Sequence, residues 1–178
     1  MSKKSVFGIV KSYTQAEQVV EHLQSAGFAA SEISALLPDN QGEHDFGHVK
    51  ATKAPEGATT GAATGGVTGG VLGLLAGIGA LAIPGVGPFI AAGPIMAALS
   101  GAAVGATTGG VVGGLIGLGI PEIEAKRYED KLKAGNYLIA VHAQDSDEER
   151  LAKEIFKNAG AEDISTSSMS KAPAEAAA

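Results

Sequence analysis

By type and spacing, the side chains best suited to chemistry are His44 and His48, which lie four apart with Glu43 and Asp45 beside them. On a helix that spacing puts two imidazoles on one face, where a divalent ion would take neutral ring nitrogens. The run Gln41-Gly42-Glu43-His44-Asp45-Phe46-Gly47 reads as a linker, however, and no clear third ligand accompanies the pair. His44 and His48 are therefore weak metal candidates. Glu122 with Glu124, and Asp145 with Asp147, have the makings of acid and base pairs. Both pairs also sit where a helix start welcomes negative charge, and capping explains them without catalysis. His22 and His142 stand alone and read as ordinary surface or sheet residues. Neither GxGxxG nor GxxxxGK[ST] occurs, so no phosphate-cradling loop is expected. The absence of cysteine excludes disulfides, thiolate metal sites and a cysteine nucleophile, and fits a reducing compartment. The sequence thus names no catalytic residue, calls for no cofactor and reads as a non-enzyme.

Charge is unevenly spread. The net charge is −6, and every charged side chain of the 178 residues lies in 1–56 or 122–178. An acidic chain with few aromatics and no Trp lacks the clustered Lys and Arg that a phosphate backbone requires, so nucleic acid is not an expected partner. The N-terminal run before Lys11 is too short for a secretory leader, which suggests a cytoplasmic start.

From Gly57 to Pro121 there is no Asp, Glu, Lys, Arg or His. Glycines recur every fourth residue in two ladders, Gly57, Gly61, Gly65, Gly69, Gly73, Gly77 and Gly101, Gly105, Gly109, Gly113, Gly117. On helices such a stripe lets backbones approach closely, so these glycines are the candidate helix-packing and oligomerisation residues. The segment 61–70 repeats as 105–114, which marks two related arms. Pro84, Gly85, Gly87, Pro88 and Pro94 between them read as the turn of a helical hairpin. Arms of about 26 residues would rise about 40 Å, enough to cross a ~30 Å hydrocarbon core. Each interior glycine costs a helix about 1 kcal/mol, so lipid or extensive helix packing must compensate. The arms grade from a Thr-rich base to an aliphatic tip at Leu72–Ile83 and Phe89–Leu99.

The polar flanks must position whatever this stretch does. Val6–Val10 reads as a buried strand; Ala16, Val19, Val20 and Leu23 keep helical spacing behind a Thr14/Glu17 capping box, and Gly27 stops the helix. Ile33–Leu37 is a second strand. After a helix at 122–134 the grammar repeats: strand Tyr137–Val141, an acid-capped helix through Leu151, Ala152, Ile155 and Phe156, a stop at Gly160, and a weaker strand from Ile164. Two βαβ units of this kind pack as a four-stranded sheet with both helices on one face. The expected fold is α+β: a ferredoxin-like βαβ repeat sandwich interrupted by a long glycine-zipper α-helical hairpin. Its parts are residues 1–40 and 121–166 as the two half-domains, 41–56 as linker, 57–120 as hairpin and 167–178 as a disordered tail.

The arrangement resembles the general stress protein 17M-like family, which includes low-temperature-induced proteins. The resemblance is carried by Val6-Phe7-Gly8-Ile9-Val10 before a helix ending at Ala26-Gly27, by the block Leu74–Pro88, and by Gly117-Leu118-Gly119-Ile120-Pro121-Glu122 leading to Tyr128 and Gly135. It implies a role associated with stress and no established catalytic activity. Taken together, the expected function is a non-enzymatic, stress-associated homo-oligomer whose hairpin inserts into or packs on a membrane. Its partners would be itself and membrane lipid, with the folded domain in the cytoplasm. An alternative is a soluble self-assembling ring, cage or filament with the hairpins as its apolar core; a second alternative is metal-dependent activity at the His44/His48 loop.

Overall fold

The computed structural model describes residues 4–38, 79–83, 87–96 and 110–168. In chain order the elements are β1 (Lys4–Val10), α1 (Tyr13–Ser25), a 3-10 turn (Ala30–Glu32), β2 (Ile33–Pro38), β3 (Gly79–Ile83), β4 (Gly87–Ala92), α2 (Gly110–Gly117), α3 (Glu122–Lys133), β5 (Tyr137–Ala143), α4 (Ser146–Asn158) and β6 (Glu162–Ser168). The fold is mixed α+β, built on one antiparallel sheet in the order β3-β4-β2-β5-β1-β6.

Strands β1, β2 and β5 read as continuous apolar runs because both faces of the sheet are covered. Alternation sorts their side chains. Val6, Val10, Ala35, Leu37, Ile139 and Val141 join the buried stripes of α1 and α4 on one face. Phe7, Ile9, Leu36, Leu138 and Ala140 meet Val111 and Leu115 of α2 and Ala125, Tyr128 and Leu132 of α3 on the other. The result is three layers, helix pair, sheet, helix pair, rather than a sheet with helices on one face alone. Helices α1 and α4 share a face.

Local signals fix the helix ends. Ser12, not Thr14, caps α1: its hydroxyl accepts from Gln15 N at 3.2 Å, while Gln15 Oε1 accepts from Lys11 N at 2.9 Å. Asp145 caps α4, accepting from both Asp147 N and Glu148 N. Helices α1, α2, α3 and α4 all stop in the same motif, with a glycine of positive φ (Gly27, Gly119, Gly135, Gly160) followed by an N–H that reaches back to the last turn, as Phe28 N does to Leu23 O at 3.1 Å.

The helical hairpin expected at 57–120 is not what its tip forms. Gly79–Ile83 and Gly87–Ala92 are strands, paired to each other and, through β4, to β2. Three prolines within eleven residues forbid a continuous helix here, and the apolar runs between them have strand length. The free edge of β2 supplies the hydrogen bonds. Pro88 lies in β4 opposite Ala82 of β3, one residue before the described β4–β2 pairing begins at Phe89. Pro84 and Gly85 lie outside the described residues, between two strands rather than two helices; Gly87 and Pro88 belong to β4, and Pro94 begins a helical segment of which residues 94–96 are described. Ser167 and Ser168, expected in the tail, complete β6.

Candidate functional site

The insertion is tied to the sheet at Ser34. This buried hydroxyl accepts from Ile95 N at 3.0 Å, and Ile95 and Met96 are fully buried beneath the sheet. Gly93 makes the turn between β4 and that helical segment with φ +90, and a Cβ there would lie 2.3 Å from the Ile33 carbonyl oxygen. The position therefore demands glycine on two independent grounds. It lies outside both four-residue ladders.

Of the ladder residues, Gly57, Gly61, Gly65, Gly69, Gly73, Gly77, Gly101, Gly105 and Gly109 lie outside the described residues, as do His44, His48 and the linker 41–56. Gly113 and Gly117 fall on α2. Its buried residues are Val111, Gly114 and Leu115; Gly113 is half-buried and Gly117 exposed, and a Cβ on Gly117 would meet nothing within 4 Å. No side chain of α2 is polar, yet Ile116 is 43% exposed, and Ile123 on the first turn of α3 is 75% exposed. These two isoleucines flank the turn from α2 to α3 and are exposed apolar side chains.

Polar groups gather at two places that the strand pattern alone could not align. The register sets His142, Ser5 and Ser167 side by side across β5, β1 and β6. Ser5 Oγ lies 3.0 Å from His142 Nδ1, the reach of a nucleophile and its base, but Ser5 has no exposed surface through which a substrate could enter. Ser167 donates to the Leu118 carbonyl at 2.5 Å and so fastens β6 to the end of α2.

The second place is the contact of α3 with β6. Tyr128 Oη donates to the Asp163 carbonyl and accepts from Ser165 Oγ at 2.6 Å. Burial pushes the Tyr128 phenol well above its ordinary value, and Arg127 pairs with Asp163 at 3.1 Å. Glu162 bridges Lys11 at 2.5 Å and Lys131 at 2.8 Å, and those hydrogen bonds hold its carboxyl down at about 2. The cleft these groups enclose, about 50 Å³ lined by Glu124, Arg127, Tyr128, Asp163, Ile164 and Ser165, is too small for a substrate of ordinary size.

The carboxylate pairs weighed as acid and base have other work. Asp145 is an N-cap, Asp147 pairs with Arg150 at 3.0 Å, and Glu122 pairs with Lys126 at 2.6 Å. Glu149 binds Lys153 and Lys4, whose hydrogen bonds lower it to about 2. Among the described residues no cluster of three His, Cys, Asp or Glu could hold a metal ion, and no helix is long and apolar enough to cross a membrane. No family model, curated protein or solved structure matches this chain.

Proposed function

We propose that this chain is a non-enzymatic, self-associating protein in which an α/β domain carries an uncharged glycine-rich stretch that packs against other copies. The domain has ferredoxin-like topology: β2-β5-β1-β6 is the four-strand order of two interleaved βαβ units, with α1 and α4 on one face. The insertion then adds β3 and β4 to one edge of that sheet and α2 to its second face.

The observation that carries the reading is the outer side of α2 and its neighbour. A helix without a polar side chain belongs in a buried setting, yet Ile116 and Ile123 face outward. Between the two environments weighed from sequence, contact with protein is favoured over lipid. Phe89, Ala91, Ala92, Ile95 and Met96, from the most aliphatic part of the stretch, are built into the domain's own core rather than held free at a tip. The association with stress rests on the family resemblance alone.

The test is a paired one: particle mass in detergent-free buffer, and flotation with phospholipid vesicles. Self-association without vesicle binding supports the reading. A monomer that floats with vesicles overturns it in favour of the membrane hairpin.

A further inference from the structure

We draw no further inference here: the strongest candidate, the small polar cleft between α3 and β6 lined by Arg127, Tyr128, Asp163 and Ser165, belongs to the site already described, where these groups pair with one another.

Discussion

The Tyr128 hydroxyl, carried on α3, donates to the backbone carbonyl of Asp163 at the point where β6 slips in register against β1. One side chain of the second helix layer therefore holds the irregular edge of the sheet. Tyr128→Phe removes that bond and leaves Ser165 Oγ without its partner, at an expected cost of about 1–2 kcal/mol in chemical denaturation. A midpoint unchanged from wild type would show that the contact does not hold the edge.

The same phenol sets the alkaline behaviour. Burial raises Tyr128 above the ordinary 10.0, so the folded state keeps a proton that the unfolded chain releases. That stability is fully present below pH 10 and declines as pH rises toward the folded value. Unfolding midpoints measured from pH 8 to 11 should fall more steeply for wild type than for Tyr128→Phe. Parallel slopes would contradict this.

On the acid side the sign reverses. Glu149 and Glu162 are lowered from 4.5 to about 2 by their lysine partners, so the stability they contribute is present above pH 4.5 and lost as pH falls toward 2. Both pairs are partly exposed, so the effect is modest and weakens with salt. Glu149→Gln should flatten the loss between pH 5 and 3 in unfolding experiments at low ionic strength.

Two glycines of the uncharged stretch should respond in opposite ways. Gly93→Ala drives a Cβ against the Ile33 carbonyl at positive φ and should cost about 2–4 kcal/mol. Gly117→Ala adds a methyl to open space in a helix and should be neutral or stabilising by up to about 1 kcal/mol. Thermal or urea unfolding of the two variants side by side checks the contrast, and equal losses would sink it.

Much of the flanking domain is legible in the sequence. The four strands and three helices outside the uncharged stretch follow from short apolar runs and period-3.6 stripes bounded by caps and glycine stops. The insertion is harder to read. Glycines four apart point to helices, but at Gly79–Ala92 the deciding influence is tertiary, a free β2 edge next to short apolar runs separated by proline, and no local pattern displays it. Gly93 illustrates the difficulty: its necessity comes from the Ile33 carbonyl and Ser34, far away in sequence. The polar row His142–Ser5–Ser167 was equally hidden, because each residue is unremarkable until strand register places the three together.

The exposed isoleucines of α2 and α3 lead to a further expectation. Ile116→Lys with Ile123→Lys should leave the unfolding midpoint within about 0.5 kcal/mol of wild type, since both side chains face outward, while reducing self-association. Circular dichroism and sedimentation velocity on the same sample separate the two effects. Intact assembly in this variant would remove both isoleucines from the contact.

The most direct measurement is the mass of the intact chain by light scattering in detergent-free buffer across a range of concentrations. Self-association requires a particle that is a multiple of the 17.7 kDa chain and grows toward that multiple with concentration. A single 17.7 kDa species at every concentration would contradict it.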